Sequence, residues 1–122
     1  MIGYVTLGTN DLARAGAFYD ALFSDLGAKR LWDYSRGIAW GTSAQQPSLA
    51  IMTPFDGKPA TVGNGVMVGL AATNKEQVDQ LYHKALSLGA TDEGPAGPRG
   101  EGFYAGYFRD PDGNKLNVFC MG

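Results

Sequence analysis

The sequence predicts an α+β fold built from two tandem β-α-β-β-β modules. Three observations support this: strand-like and helix-like segments follow the same order twice, each helix has a capping residue and a terminal glycine, and the two copies keep a nearly constant separation. The 122 residues are the length of one domain. We therefore expect a single domain, with module one at about 1–54, a linker at about 55–64 and module two at about 65–122.

The first module begins with a β-prone segment and continues into an amphipathic helix. Asn10 is a favourable helix N-cap. Apolar residues then recur at helical spacing from Leu12 to Leu26, and Gly27 is expected to end the helix. The predicted strands of this module are 2–8, 28–34, 37–42 and 48–53.

The second module repeats this order after a linker rich in glycine and proline. Thr73 and Glu76 have the spacing of a capping box, and the apolar face of a second helix runs to a stop at Gly89. The segment 110–113, Asp-Pro-Asp-Gly, predicts a type I turn between the last two strands. The predicted strands of this module are 66–70, 90–93, 103–109 and 115–120.

The two modules can be aligned with each other. Tyr4 and Asn10 are separated by the same number of residues as Met67 and Thr73, which lie 63 positions later, and the last strands align at a separation of 67. Many α+β chains can be aligned with themselves this loosely. The matching caps, helix lengths and glycine stops nevertheless favour a duplication.

Alternation along the strands separates two sheet faces. One face is apolar and is expected to pack against the helices; its members are Val5, Leu7, Leu49, Ile51, Val66, Val68, Leu70, Leu116, Val118 and Cys120. The opposite face mixes small, polar and large residues, namely Ile2, Tyr4, Thr6, Ser48, Ala50, Met52, Gly65, Met67, Gly69, Lys115, Asn117 and Phe119. Such a mixture suits the lining of a concave surface better than a packed core.

Composition excludes several classes of function. The net charge of −2 and the absence of a Lys/Arg cluster argue against nucleic-acid binding. No apolar run reaches the length of a membrane span, and no signal peptide is visible. Cys120, the single cysteine, fits a reducing compartment, so we expect a cytoplasmic protein.

The chain resembles the vicinal oxygen chelate superfamily, the glyoxalase/bleomycin-resistance/dioxygenase group. The resemblance rests on the order and spacing of five segments, which are 5–12, 17–20, 63–65, 90–94 and 108–115. It implies one glyoxalase-like domain whose curved mixed sheets surround a shared cavity, usually in a homodimer.

The resemblance also identifies the positions where metal-using members hold their ion. These members place a His on the first strand of a module and a Glu or His on its last strand, which corresponds here to Tyr4, Ala50, Met67 and Asn117. This set lacks the His, carboxylate and thiolate donors of a divalent site, so we expect no metal and no other cofactor. The only histidine, His83, is expected on the polar side of the second helix.

Aromatic and polar residues on both modules suit a small-molecule site. Tyr4 and Asn117 are the preferred polar contacts, and Arg99 lies in the glycine-rich segment 94–102, which is expected to be a surface loop or a lid able to meet an anionic ligand. The candidate ligand-binding residues are Tyr4, Trp40, Ala50, Met67, Arg99, Tyr107 and Asn117.

The function expected from these features is small-molecule binding by a glyoxalase/bleomycin-resistance-like protein without the usual metal site. Whether such a protein is an enzyme stays open, and no catalytic residue is assigned. The alternatives are a glyoxalase I-like lyase (lactoylglutathione lyase), a relative that works without metal and uses Tyr4 as acid or base, and a protein–protein contact role with no ligand.

Overall fold

The computed structural model describes residues 1–122. The chain divides into two compact units, Met1–Val62 and Gly63–Gly122, and each contains one helix and one four-stranded sheet. The boundary falls inside the predicted linker. The α+β class and the tandem β-α-β-β-β modules are therefore confirmed, while the joining of both modules into a single domain stays a prediction.

Module one has a mixed sheet covered by one helix. Its elements are β1 (Tyr4–Gly8), α1 (Leu12–Ser24), β2 (Lys29–Tyr34), β3 (Gly37–Gly41) and β4 (Ser48–Met52). The strand order is β1-β4-β3-β2, in which β1 and β4 are parallel and the other neighbours are antiparallel. The first and last strands of the module are thus adjacent in the sheet.

Module two repeats this topology. Its elements are β5 (Val68–Ala71), α2 (Lys75–Ser87), β6 (Thr91–Pro98), β7 (Phe103–Arg109) and β8 (Lys115–Met121). The order is β5-β8-β7-β6, again with the first and last strands parallel. Both helices have 13 residues, and neither is long and apolar enough to cross a membrane.

Each core lies between the helix and one face of its sheet. Helix α1 packs against β2, β3 and β4, whereas α2 packs against β6, β7 and β8. The buried apolar side chains include Leu7, Phe18, Tyr19, Leu22, Ile38, Leu49 and Ile51 in module one, and Val78, Leu81, Phe108, Leu116, Val118 and Cys120 in module two. On the face predicted to pack against the helices, Leu7, Leu49, Ile51, Leu116, Val118 and Cys120 are buried, whereas Val5, Val68 and Leu70 are half-buried and Val66, which precedes β5, is 54% exposed.

The helix caps are each one residue later than predicted. The side chain of Asn10 exchanges hydrogen bonds with the backbone of Ala60, so the Asp11 carboxylate caps α1 by accepting from the Arg14 N–H. In the second module Asn74, not Thr73, accepts from the Gln77 N–H. The predicted capping box is therefore wrong, because Glu76 has no part in it and Gln77 accepts from the Thr73 N–H instead.

Strand β6 is longer than the predicted strand at 90–93. It continues through the glycine-rich segment to Pro98, pairs with β7 and carries two register shifts, one on each side of Gly94. Gly94 has a φ of 153°, which a residue with a side chain rarely adopts. The segment predicted as a loop or lid is thus strand as far as Pro98, and the turn that follows joins β6 to β7.

We expect the contact between α2 and β7 to be sensitive to a single methyl group at Gly106. A Cβ at this position would lie 2.9 Å from the Tyr82 ring. Gly106→Ala should lower the free energy of unfolding by about 1–3 kcal/mol, since overpacking forces the helix or the ring to shift. Urea denaturation measures the effect. Gly3→Ala is the control, because no heavy atom lies within 4 Å of its added Cβ; equal stability of the two variants would contradict this packing.

Candidate functional site

In module one, small residues project from the sheet face opposite the helix. Thr6 pairs with Ala50 and Ala50 with Ala39, so their side chains share this face. Trp32 is opposite Ala39 on the edge strand β2, and its ring stacks on that of Tyr34 at a centroid distance of 5.2 Å. Small residues beside a pair of stacked rings form a surface that suits an apolar or planar group.

Tyr4 and Ala50, two of the candidate residues, are both on this face. Tyr4 is on the same side of β1 as Thr6, because side chains two positions apart point the same way. Its side chain is 65% exposed, whereas that of Ala50 is fully buried. Tyr4 can therefore offer a hydroxyl to a ligand, and Ala50 can offer only a methyl group.

In module two, the corresponding face is centred on Asn117. This residue pairs with Gly69 of β5 on one side and with Tyr107 of β7 on the other. Phe119 lies on the same face and stacks on Phe103 with a centroid distance of 5.6 Å. Met67 precedes β5 and is 44% exposed.

The Asn117 side chain carries a buried acceptor without a hydrogen-bond partner. The residue is 3% exposed, and its Oδ1 atom receives no hydrogen bond. A Cβ at Gly69 would lie 2.9 Å from this atom, so the amide is held above the glycine. An unsatisfied buried acceptor costs about 1–3 kcal/mol, and a water molecule or a ligand donor can remove that cost.

Two cationic side chains flank Tyr107. The Arg99 guanidinium carbon and the Lys115 ammonium nitrogen lie 5.5 Å and 5.6 Å from the centre of its ring. Arg99 donates to the Pro95 and Pro98 carbonyls, and neither cation forms an ion pair. The nearby Arg109, by contrast, is paired with Glu93.

Sequence reasoning named Arg99, Tyr107 and Asn117 but missed Lys115 as a site residue. The alternation along the last strand could have identified Lys115, since it is two positions before Asn117 and therefore on the same face of β8. That Arg99 also lies against the Tyr107 ring could not be read from the sequence, because Arg99 follows the bulged strand β6.

The structure places Trp40, another candidate ligand residue, in the core of module one. It is 1% exposed, and its ring lies 5.4 Å from Tyr19 and 6.1 Å from Phe23 of α1. Its indole N–H donates to Asp20 at 2.8 Å. The physical reason is strand alternation: Trp40 pairs with Leu49 on the helix side of the sheet, so we exclude it from the candidate surface.

The four positions implied for a metal do not fit one. Tyr4 and Ala50 in module one, and Met67 and Asn117 in module two, offer a phenol, a methyl group, a thioether and a neutral amide. Zn, Ni, Fe and Mn sites need several imidazole, carboxylate or thiolate donors. Across residues 1–122 no three His, Cys, Asp or Glu side chains come together in a way that could hold an ion.

The paired modules define a class of protein in which two copies of a β-α-β-β-β unit each leave one sheet face without a helix. The chain belongs to the Glyoxalase/Bleomycin resistance protein/Dioxygenase superfamily, whose sequence profile matches residues 1–118.

Solved structures agree with this assignment. The structure of a glyoxalase/bleomycin resistance protein from Albidiferax ferrireducens shares 36% identity and a TM-score of 0.91, covering 100% of this chain and 99% of that one. A glyoxalase/bleomycin resistance protein/dioxygenase family enzyme from Burkholderia phytofirmans shares 18% identity, with a TM-score of 0.79 and 98% of each chain covered. A lactoylglutathione lyase from Agrobacterium tumefaciens shares 23% identity, with a TM-score of 0.72 over 98% of this chain and 92% of that one. These last two support the fold alone. No functionally curated protein matches the chain.

Replacing Asn117 should not lower the free energy of unfolding. Replacing a buried asparagine whose side-chain amide is hydrogen-bonded should lower it. Asn117→Leu removes the unpaired acceptor at similar volume, so we expect the free energy of unfolding to be unchanged or higher by about 1 kcal/mol. Asn114→Leu is the comparison, because the Asn114 Nδ2 donates to Asp110 at 3.0 Å within a buried turn. It should cost at least about 1 kcal/mol. Equal losses in urea denaturation would show that Asn117 has a partner.

The Asp20 network that holds Trp40 should make stability depend on acid pH. The bidentate hydrogen bonds from Arg30, with a further one from Trp40, lower the pKa of the Asp20 carboxyl. A lowered pKa stabilises the fold above the ordinary carboxyl range, and that stabilisation is lost as the pH falls through the folded-state value. The free energy of unfolding should decrease as the pH falls through and below the ordinary carboxyl range. Asp20→Asn should flatten this decrease, whereas Glu101→Gln, in an exposed turn, should leave it intact. An unaltered slope in Asp20→Asn would contradict the assignment.

Proposed function

We propose that this protein binds a small organic molecule on the helix-free sheet faces of its modules and does so without the metal used by many members of its superfamily. The observation that carries the proposal is an intact superfamily fold whose metal positions are Tyr4, Ala50, Met67 and Asn117.

The chemistry of the two faces supports binding of an organic molecule. Module one offers small residues beside the stacked Trp32 and Tyr34 rings. Module two offers stacked Phe103 and Phe119, and Tyr107 next to the Asn117 amide. Aromatic lining with a few polar groups is the usual character of a small-molecule site.

A homodimer is the other part of this proposal. Several large apolar side chains of both modules are exposed, among them Ile2, Tyr4, Phe55, Val66 and Met67. Apolar surface of this kind is suited to association with a second copy of the chain. A cytoplasmic location is proposed from the single buried cysteine, since the chain has no other thiol to form a disulfide with.

Metal analysis combined with thermal shift tests the proposal. Protein purified without added metal should hold no near-stoichiometric Zn, Ni, Fe or Mn, and added Ni²⁺ or Zn²⁺ should leave its melting temperature unchanged. At least one compound of a metabolite collection should raise that temperature, since a ligand of the native state adds RT ln(1 + [L]/Kd) to stability.

The matched variant carries Tyr4→His, Ala50→Glu, Met67→His and Asn117→Glu, which are the ligand types that metal-using members have at these positions. This variant should gain a melting-temperature increase with Ni²⁺ or Zn²⁺ that the wild type lacks. A wild type that retains stoichiometric metal, or one that no metabolite stabilises, would contradict the proposed function.

The residues give little support to a lactoylglutathione lyase. That activity uses a metal to stabilise an enediolate and a carboxylate as the base. The positions that could supply this carboxylate hold Ala50 and Asn117. We expect no turnover of the methylglyoxal–glutathione hemithioacetal, with or without added Ni²⁺ or Zn²⁺, in a steady-state assay; turnover would restore the lyase alternative.

A further inference from the structure

We propose that Asn64, in the turn before β5, is a modification site at which the side-chain amide is lost by spontaneous deamidation. Three features of this turn support the proposal. Asn64 is followed by Gly65, both residues are exposed, and the Gly65 N–H donates a hydrogen bond to no group of the protein.

The turn leaves the backbone of Gly65 open to solvent. The Val66 N–H donates to the Gly63 carbonyl at 3.3 Å, and Gly65 has a φ of 98°, which suits the third residue of a type II turn. Beyond its chain neighbours, no heavy atom lies within 4 Å of a Cβ built on Gly65. Hydroxide can therefore reach the Gly65 N–H without displacing a protein group.

The reaction needs only this amide, the asparagine side chain and water. The Gly65 backbone nitrogen gives its proton to hydroxide and attacks Cγ of Asn64, so a C–N bond forms, the Cγ–NH₂ bond breaks and ammonia leaves. The product is a succinimide ring. Water then opens the ring at the Cγ carbonyl to give aspartate, or at the main-chain carbonyl to give isoaspartate. Glycine favours the attack because it has no side chain to obstruct the nitrogen.

The other four asparagines of the chain lack this combination. None of them precedes a glycine. Three have side chains engaged in hydrogen bonds, namely Asn10, Asn74 and Asn114. Asn117 is 3% exposed and precedes Val118, whose branched side chain crowds the attacking nitrogen. Asparagine is a thermally labile residue, and these surroundings protect four of the five.

Two Asp-Gly pairs, at 56–57 and 112–113, could form the same ring, but their glycine amides are engaged. The Gly57 N–H donates to the Pro54 carbonyl at 3.1 Å, and the Gly113 N–H donates to a carbonyl of its own turn at 2.9 Å. A hydrogen-bonded N–H must break that bond before its nitrogen can attack. The turn before β5 is therefore the Asx-Gly pair whose attacking nitrogen is free.

Deamidation changes the chain at the entry to an edge strand. It adds one negative charge to a chain whose net charge is −2, and the isoaspartate product also inserts a methylene into the main chain. The hydrogen bond from Val66 to Gly63 spans the lengthened segment, so the turn must open. Strand β5 begins two residues later, at Val68, and lies at the edge of its sheet.

Timed incubation of the full chain in H₂¹⁸O at mildly alkaline pH tests the proposal. Fragment-ion mass spectrometry should show conversion of the Asn64 amide to an acid with one ¹⁸O atom incorporated. Conversion should be at least about tenfold faster than at any other asparagine, since three of those must give up a hydrogen bond and the fourth is buried. Methyl transfer from S-adenosylmethionine by a protein isoaspartate methyltransferase should label the same position, because this enzyme accepts the isoaspartyl carboxylate.

Two variants separate the local structure from the sequence. Asn64→Gln should abolish the conversion at this position, because glutamine would have to close a larger ring. Asp56→Asn is the matched control, since it creates an exposed Asn-Gly pair in the same linker while the Gly57 N–H is bonded to Pro54. In the folded variant this second pair should convert about tenfold more slowly than Asn64. In concentrated urea the two rates should become similar.

The result that overturns the proposal is defined at each step. Conversion of Asn64 no faster than that of the other asparagines, or conversion without ¹⁸O incorporation, would show that this turn is not the site. Equal rates at the two Asn-Gly pairs of folded Asp56→Asn would show that the free Gly65 N–H does not determine the reactivity.

Discussion

The parallel pairing of the first and last strands of each module is the constraint on which the rest of the structure depends. A parallel pair cannot be closed by a tight hairpin and requires a long connection. In each module that connection contains the helix and the two middle strands, and the helix packs on a single face of the sheet. The other face is left without a helix, and the pairs Thr6–Ala50 and Gly69–Asn117 lie on it, each between an edge strand and its neighbour.

The polar side chains on the two sheet faces of module two differ in whether they have hydrogen-bond or ion-pair partners. On the helix side, the Tyr82 hydroxyl donates to Asp92 and the Tyr104 hydroxyl donates to Asp79, both at 2.6 Å. Burial and the hydrogen bond to Asp92 raise the pKa of Tyr82 to about 12, so this hydroxyl stays protonated as a donor. On the opposite face the Asn117 oxygen has no donor and Lys115 has no counter-charge. An unpaired buried acceptor lowers stability unless a donor reaches it.

The two modules share one backbone topology, while the side chains of their two open faces differ. The helices have equal length and begin at Leu12 and Lys75, 63 residues apart. Both faces carry a pair of stacked rings, but that of module one adds small residues and Tyr4, whereas that of module two adds Lys115 and the Asn117 amide. Strand pairing through the backbone tolerates this change, because hydrogen bonds of the ladder do not depend on which side chain projects from the sheet.

The sequence by itself determined the modules, the presence and order of both helices, the glycine stops and the face of most strand residues. These features follow from periodicity and turn chemistry, which act over a few neighbouring residues. The predictions from sequence that were wrong failed for long-range reasons. Asn10, for example, does not cap α1, because its side chain is hydrogen-bonded to the backbone of Ala60, fifty residues later. Only the tertiary structure decided that Trp40 belongs to the core, that Arg99 and Lys115 each lie against the Tyr107 ring, and that the Asn117 oxygen lacks a donor. Each of these depends on which strands become neighbours and on where the bulges of β6 direct the chain, and neither is encoded in local spacing.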